Sequence, residues 1–279
     1  MPTPPDLRAR AERFRELHHQ SAPLVLANVW DVASARIVEE AGYEALATTS
    51  AGVAWMLGYP DGQRISRDEM LGVVARITSA VRVPVTADLE AGYGPGPEDV
   101  AATVRGAIEA GAVGMNLEDS TEDPSTLFDI AAQTKRIAAG RAAADAAGIP
   151  FVINARTDVV LHQIGEPESR LREVLRRLAA YRDAGADCLF APGVRDVETI
   201  ATLVKELKAP INILAIPGIP TVAELASLGV ARLSLGGGLM RAALECTRRL
   251  VRELRASGDT TPIASTPLTH MDMQQLFAR

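Results

Sequence analysis

Cysteine is scarce in this chain, with Cys188 and Cys246 as its two copies among 279 residues. Neither falls in a spacing typical of a metal site or a redox motif, which argues against a cysteine-based metal or redox centre. Cys188 lies in an apolar strand pattern and Cys246 in a helical pattern. We therefore predict that both thiols lie in or near the core.

The chain also lacks a dominant basic stripe and a long apolar run. Its 29 Lys and Arg stand against 35 Asp and Glu, giving a net charge of −6, so nucleic acid is not expected as the main partner. There is no secretory signal and no apolar run of membrane-spanning length, so we expect no membrane association and a cytoplasmic location. Hydrophobic residues make up 47% of the chain, which excludes wholesale disorder.

Histidine is rare too. None of the four copies has metal-ligand spacing with another histidine at a strand end, so we expect them on the surface or behind a site rather than in it. They are His18, His19, His162 and His270.

What the chain does contain is a regular alternation of short apolar runs with helical patterns. The predicted strands cover residues 24–29, 45–50, 83–89, 114–118, 151–156, 188–191, 211–215 and 231–235. Helical patterns separate them, one of them over residues 126–147. Strict alternation implies parallel strands with right-handed crossovers, and eight units predict an α/β fold, a (β/α)8 TIM barrel. We expect one domain over residues 1–279, with an N-terminal helix and a C-terminal helical tail.

Charged side chains follow several of these strands. Asp88 and Glu90 come directly after an apolar run, Glu118 ends the next strand, and Arg156 ends the one after it. In a barrel of parallel strands, these C-terminal ends meet on one face, where such enzymes place their chemistry. Paired carboxylates resist burial but suit a hard cation such as Mg2+. The alternative is a solvated loop whose acids cap the following helix.

A turn at residues 57–62 presents a further acid, Asp61. With Asp88, Glu90 and Glu118 it would complete an acidic ring around one cation. Four mutually repelling carboxylates need a positive centre to stay ionised together. The ring therefore predicts a Mg2+ site in which some acids act through water, with Mn2+ as an acceptable substitute.

Two further features of the same face favour binding of an anion. Thr49, Ser50 and Ala51 follow the second strand, where small side chains and accessible backbone N–H groups suit a carboxylate or cap a helix. Arg156 could fork onto a substrate carboxylate or stabilise an oxyanion. The alternative for Arg156 is a salt bridge to Glu118 or Asp158.

In order and spacing, the motifs resemble those of the isocitrate lyase and phosphoenolpyruvate mutase superfamily. The likeness runs from about residue 27 to residue 240 and rests on five segments. They are SARIVEEAG at 34–42, LGYPD at 57–61, DLEAGYG at 88–94, LED at 117–119 and ARTD at 155–158.

This resemblance implies a (β/α)8 barrel, Mg2+ and a small 2-oxo acid or its adduct as ligand. It also implies a homo-oligomer, a tetramer or a dimer that swaps its C-terminal helix. The roles that it implies are Asp88 as direct metal ligand, Asp61, Glu90 and Glu118 as holders of metal-bound water, Thr49, Ser50 and Ala51 at the substrate carboxylate, Trp30 at the tip of strand one, and Arg156 at a substrate oxygen. Glu90 stands where the superfamily more often has Asp.

One departure from the superfamily bears on the reaction. The lyases carry a loop after the Glu-Asp pair with Lys, Cys, Gly and His, whose cysteine protonates the departing enolate. The mutases carry a lysine in a related loop. Here residues 120–127 read STEDPSTL, without Cys, Lys or His. Since proton transfer of this kind is worth about 10²–10⁴-fold in rate, isocitrate or methylisocitrate lyase activity should be weak or missing.

The leading hypothesis is a Mg2+-dependent carbon–carbon lyase acting on a small 2-oxo or 2-hydroxy (di)carboxylic acid through a metal-stabilised enolate. Arg156, Glu118 and Tyr93 are its candidate catalytic residues, with a water or Tyr93 in place of the missing acid. The first alternative is phosphorus–carbon chemistry, as in a phosphonomutase or phosphonopyruvate hydrolase. The second is a non-catalytic protein that binds 2-oxo acids.

Overall fold

A computed structural model describes residues 5–121, 123 and 125–278. Eight parallel strands close into a barrel in sequence order, with the last strand pairing to the first. They are β1 (Leu24–Val29), β2 (Leu46–Thr48), β3 (Val85–Asp88), β4 (Gly114–Glu118), β5 (Val152–Arg156), β6 (Cys188–Phe190), β7 (Ile211–Leu214) and β8 (Arg232–Ser234). The predicted (β/α)8 fold is confirmed.

Helices surround the barrel and extend both ends of the chain. They are α1 (Pro5–Leu17), α2 (Val32–Glu40), α3 (Ser50–Met56), α4 (Arg67–Ala80), α5 (Pro97–Glu109), α6 (Ile130–Ala146), α7 (Pro167–Asp183), α8 (Val197–Leu207), α9 (Val222–Ser227), α10 (Gly238–Ser257), α11 (Thr261–Ala264) and α12 (His270–Phe277). Helix α1 covers the N-terminal end of the barrel, where buried Phe14 lies against Gly114 at the start of β4. The opposite end of the barrel, at the C-terminal ends of the strands, contains an open cavity.

Two local differences from the predicted elements have physical causes. Helix α6 begins at residue 130 rather than 126, because Leu127 pairs with Ser120 in an isolated antiparallel bridge and Asp129 caps the helix by accepting a 2.7 Å hydrogen bond from Ala132 N–H. Helix α3 was not predicted. It is only seven residues long and includes Gly52, a weak helix former.

The lower interior of the barrel is polar. Asn116 on β4 accepts hydrogen bonds from Asn154 Nδ2 at 2.8 Å and from the buried Arg232 Nη2 at 3.3 Å. Its own amide nitrogen donates to Asp88 Oδ1 at 3.0 Å. A chain of amides and a buried cation therefore supports the predicted metal ligand from below.

The prediction for the cysteines is right for one residue and wrong for the other. Cys188 is buried on β6, and this burial raises the pKa of its thiol to about 12. Cys246 is exposed on α10. The periodicity of α10 resembles that of a core helix, but within this fully described helix Met240 is the one buried side chain. The apolar side of α10 is therefore not covered by the part of the chain that the structure describes.

Across the described residues, no helix combines the length and the apolar character that crossing a membrane requires.

Candidate active site

A cavity of about 700 Å³ opens at the C-terminal ends of the strands. It brings together most of the predicted site residues, which come from different loops. Its lining includes Ser50, Asp61, Gln63, Arg64, Arg67, Glu90, Tyr93, Glu118, Ser120, Arg156 and His162. The prediction that charged strand ends converge on one face is thus met in the structure.

Asp88 is a rigidly held carboxylate that is not itself among the lining residues but is bonded to one of them, Ser50. It is 8% exposed. Its Oδ2 accepts hydrogen bonds from the backbone N–H and the hydroxyl of Ser50, at 3.1 and 2.8 Å, while Oδ1 accepts from Asn116. Its own N–H donates to Thr48 Oγ1 at 2.9 Å. The side chain is therefore fixed in position before any ligand binds.

Glu90 reaches the cavity by a route that strand alternation does not explain. Strand β3 ends at Asp88, and Glu90 has a left-handed φ of 51°. Its Oε2 accepts a hydrogen bond from Gln63 N–H, and Gln63 Oε1 accepts one from Tyr93 N–H at 2.8 Å. Gln63 thus ties the loop after β3 to the segment that precedes α4. Sequence analysis did not identify this residue.

The acids in the cavity repel one another. Burial, together with the charges of Asp88 and Asp61, raises the pKa of Glu90 to about 8. Burial and Asp88 also raise the pKa of Asp61 above its usual range. For Glu118, burial raises the pKa and outweighs the opposing effect of Arg156. A bound cation would relieve this repulsion.

The donor set fits a hard cation held with few direct protein ligands. Among the described residues, no three His, Cys, Asp or Glu side chains converge as direct ligands of one ion. Asp88 is fixed, and Glu90 Oε1 is buried without a hydrogen-bond partner in the described part of the chain. Because Mg2+ keeps several waters and needs one or two carboxylates, this arrangement suits it better than a cation that requires a full cage of ligands.

Arg156 makes both of the salt bridges that were considered as alternatives. Its Nη1 lies 2.7 Å from Glu118 Oε2 and its Nε 2.6 Å from Asp158 Oδ1. Burial works against its charge, but Asp158 and Glu118 hold the pKa of Arg156 above its usual range. The guanidinium also lines the cavity, so the ion pairs orient it without removing it from a ligand's reach.

The remaining predicted binding residues divide into two groups. Ser50 lines the cavity, whereas Thr49 is the N-cap of α3 and its Oγ1 accepts a hydrogen bond from Gly52 N–H. Trp30 packs beside Gly52. The residues that line the cavity do not include Trp30, Thr49 or Ala51. Their contact with a substrate remains a prediction.

Tyr93 lines the cavity in a left-handed conformation with φ of 58°. Its hydroxyl is buried and has no hydrogen-bond partner among the described residues. Burial and the neighbouring carboxylates, Glu90 foremost, raise the pKa of Tyr93 above its usual range. The phenol therefore holds its proton firmly, which makes it a poor acid at neutral pH.

His162 is a residue whose place the sequence did not indicate, since all histidines were expected outside the site. It lines the cavity in the turn after β5, and its Nε2 lies 3.8 Å from Asp158 Oδ2. Asp158 is fully buried and also accepts a 2.5 Å hydrogen bond from Ser120 Oγ. The signal that could have found it is the four-residue spacing from Asp158 at a strand end.

Arg136 on α6 is another unpredicted contributor. It is fully buried, and its Nη2 donates hydrogen bonds to the carbonyl oxygens of Ala91 and Gly94, the latter at 3.0 Å. Its guanidinium lies 4.0 Å from the centre of the Phe128 ring. Burial lowers the pKa of Arg136 to about 10. This arginine holds the backbone of the loop that follows Asp88.

The (β/α)8 fold and the acidic cavity at the C-terminal ends of its strands agree with the isocitrate lyase and phosphoenolpyruvate mutase superfamily, which the sequence motifs resemble. The phosphoenolpyruvate phosphomutase family model matches residues 14–255. The chain therefore belongs to the phosphoenolpyruvate phosphomutase family, within the isocitrate lyase and phosphoenolpyruvate mutase superfamily.

Curated relatives span most of the chain. An uncharacterised protein of Mycobacterium tuberculosis is 36% identical over 89% of this chain and 91% of its own length. Phosphoenolpyruvate phosphomutase of Streptomyces hygroscopicus is 31% identical over 89% of this chain and 81% of its own. Oxaloacetate decarboxylase of Pseudomonas paraeruginosa is 30% identical over 95% and 93%. Relatives of this chain thus include a mutase and a decarboxylase.

Solved structures give the same family. A candidate lyase/mutase of Burkholderia cenocepacia J2315 has a TM-score of 0.92 and 42% identity, covering 98% of this chain and 97% of its own. A 2,3-dimethylmalate lyase has a TM-score of 0.85 and 26% identity over 96% and 95%. An oxaloacetate acetylhydrolase, in complex with 3,3-difluorooxalacetate, has a TM-score of 0.85 and 28% identity over 96% and 93%.

Proposed function

We propose that this protein is a divalent-cation-dependent carbon–carbon lyase acting on a small 2-oxo dicarboxylic acid, with decarboxylation of oxaloacetate as its simplest form. The observation that carries the proposal is the fixed carboxylate of Asp88, which is bonded to Ser50 in the lining of a cavity that also contains three further acids and Arg156. Sequence similarity to an oxaloacetate decarboxylase and structural similarity to an oxaloacetate acetylhydrolase support a 2-oxo dicarboxylic acid as the substrate class.

The resident metal is proposed to be Mg2+, with Mn2+ as a substitute. Asp88 would hold it directly, and Asp61, Glu90 and Glu118 would hold its water molecules. When bound, a divalent cation polarises the 2-oxo group and stabilises the negative charge of an enolate. Burial and repulsion from Asp88 and Asp61 raise the pKa of Glu90 to about 8, and relief of this repulsion would favour binding of the cation.

The chain's own residues would then handle charge and protons. Decarboxylation of oxaloacetate breaks the bond between C3 and C4, releases CO2 and leaves an electron pair on the pyruvate enolate. Arg156, oriented by Glu118 and Asp158, would balance the charge on the substrate oxygens. The pair must then take up a proton at C3 to give pyruvate.

We assign that proton to His162 rather than to Tyr93. The 120–127 loop lacks the superfamily's usual acid, and Tyr93 is the poorer donor because its pKa is raised. Imidazole is the side chain best suited to proton transfer near neutral pH. His162 lines the cavity with the buried Asp158 behind it, which would orient the ring.

Phosphorus–carbon chemistry is the second candidate function. The 120–127 loop offers no cation for phosphonyl oxygens, which argues against this reaction. The structure, however, adds Arg64 and Arg67 to the cavity, and a phosphoenolpyruvate phosphomutase is among the relatives. Incubation with phosphonopyruvate, followed by 31P NMR, separates this reaction from carbon–carbon cleavage.

The deciding experiment measures pyruvate and CO2 formation from oxaloacetate with Mg2+ and with EDTA. Because free divalent cations also decarboxylate oxaloacetate slowly, the rate without protein is subtracted. Wild type should exceed that rate by orders of magnitude, Asp88→Asn should not, and Asp68→Asn, an exposed acid on α4, should behave as wild type. Metal-dependent binding without turnover of any 2-oxo acid would instead identify a non-catalytic binding protein.

A further inference from the structure

The cavity contains a second set of charges that the proposed reaction does not use. Besides the acids Asp61, Glu90 and Glu118, its lining includes Arg64 and Arg67, which come from the segment that leads into α4. Arg156, the third arginine of the lining, is already paired with two carboxylates. The charges of Arg64 and Arg67 are different in this respect.

Neither of these two arginines is neutralised within the described residues. Arg64 makes no hydrogen bond or ion pair there, and Arg67 makes one hydrogen bond, from Nη1 to the neutral carbonyl oxygen of Asp99 at 3.5 Å. The nearby Glu69 is occupied, because its Oε2 accepts hydrogen bonds from Ser66 N–H and Oγ. Two guanidinium groups thus have free donors beside a cavity.

The backbone that carries them is fixed on both sides. Gln63 is tied to Glu90 and Tyr93, and Ser66 caps α4 in a reciprocal capping box with Glu69. Between them Ile65 is 3% exposed and belongs to the hydrophobic core. Because Ile65 anchors the segment inward, Arg64 and Arg67 are held at the cavity rather than on a freely moving loop.

We propose that Arg64 and Arg67 form an anion subsite for a second acidic group of the substrate, a carboxylate or a phosphonate, distal to its 2-oxo acid end. The guanidinium fork matches both groups in geometry. The proposal rests on the proposed function, which places the 2-oxo acid end near Asp88. It restricts the substrate class to 2-oxo acids with two anionic ends and disfavours monocarboxylates such as pyruvate.

Binding selectivity tests this subsite without relying on turnover. The probes are pyruvate, with one anionic group, and 3,3-difluorooxaloacetate and phosphonopyruvate, with two. Their dissociation constants are measured by calorimetry in Mg2+ for wild type, Arg64→Met, Arg67→Met and the double variant. Arg82→Met, a change at an exposed arginine just after α4, is the matched control. Thermal melting checks that each variant folds.

Each cavity variant should weaken binding of at least one of the two dianionic probes, 3,3-difluorooxaloacetate or phosphonopyruvate, by about tenfold, as expected for the loss of a charge-assisted hydrogen bond. The dissociation constant of pyruvate should change by less than about twofold. The probe whose affinity falls more identifies the distal group as a carboxylate or a phosphonate.

Equal losses of affinity for all three probes, or no loss of affinity, would overturn the proposed subsite. If selectivity is lost as expected but no 2-oxo acid is turned over, the proposed lyase function fails and the subsite stands. Wild type that binds none of the probes contradicts both.

Discussion

Ser50 donates two hydrogen bonds to the same oxygen of Asp88, from its backbone N–H at 3.1 Å and from its hydroxyl at 2.8 Å. The family resemblance implies that Ser50 contacts a substrate carboxylate, which stays a prediction; in the structure it holds the carboxylate of Asp88. Ser50 is therefore in place to orient the proposed metal ligand.

Replacement of Ser50 by alanine should weaken metal binding while leaving the fold intact. The backbone donor remains, but the hydroxyl bond to a buried carboxylate is lost, and such bonds to charged groups contribute about 1.5–3 kcal/mol. We expect a loss of about tenfold or more in Mg2+ affinity, measured by calorimetry. Ser79→Ala, at an exposed serine on α4 whose hydroxyl donates to Ala75 O, should leave the affinity unchanged. Unaltered Mg2+ affinity in Ser50→Ala would show that the hydroxyl does not position Asp88.

The sequence predicted the barrel and the acids of the site because both follow local rules. Alternating strand and helix patterns fix the topology, and the ends of parallel strands share a face. Arg136 and Gln63 could not be predicted in this way. Each side chain bonds to a backbone group far along the chain, since Arg136 donates to the carbonyl oxygen of Ala91 and Gln63 Oε1 accepts from the N–H of Tyr93. Such contacts depend on packing that leaves no periodic signal.

Substitution of His162 by glutamine tests the proposed proton donor. Glutamine keeps polarity and approximate size but cannot carry the proton, so kcat should fall about 10²–10⁴-fold, with the dissociation constant of 3,3-difluorooxaloacetate little changed. A second readout is exchange of the pyruvate methyl hydrogens with D2O, followed by NMR. Wild type with Mg2+ should catalyse it and the variant should not.

The control for this change is His19→Gln, at an exposed histidine beyond α1, which should retain both activities. If His162→Gln exchanges pyruvate hydrogens as fast as wild type, the proton comes from another group or from water.

Glu90 should make the metal-free protein less stable as pH rises. Its pKa is about 8 in the folded state against 4.5 for an ordinary glutamate. Between these values the folded state keeps a proton that the unfolded chain has released, so its contribution to stability is complete below about pH 4.5 and is lost as pH rises through 8. The melting temperature of EDTA-treated wild type should fall across this window more steeply than that of Glu90→Gln.

Mg2+ should reverse this trend, since it binds the ionised carboxylates, and should raise the melting temperature more at pH 8.5 than at pH 6. Glu109→Gln, at an exposed position on α5, should show the wild-type slope. Identical slopes for wild type and Glu90→Gln would mean that Glu90 is already ionised at neutral pH in the folded protein.

The exposed apolar face of α10 leads to a prediction about assembly. Leu244 is 49% and Val251 53% exposed, and their seven-residue spacing places them on one side of the helix. Exposed apolar surface of this kind is typical of protein interfaces. We propose that a second copy of the chain covers it, in a dimer or tetramer that exchanges this C-terminal helix.

Light scattering after gel filtration should give a multiple of 29.6 kDa for wild type and the monomer mass for the double change Leu244→Glu and Val251→Glu. Ala242→Glu, on the opposite side of the helix, should keep the wild-type mass. A wild-type monomer would show that α10 stays uncovered in solution, and it would leave the cavity of one chain as the complete site.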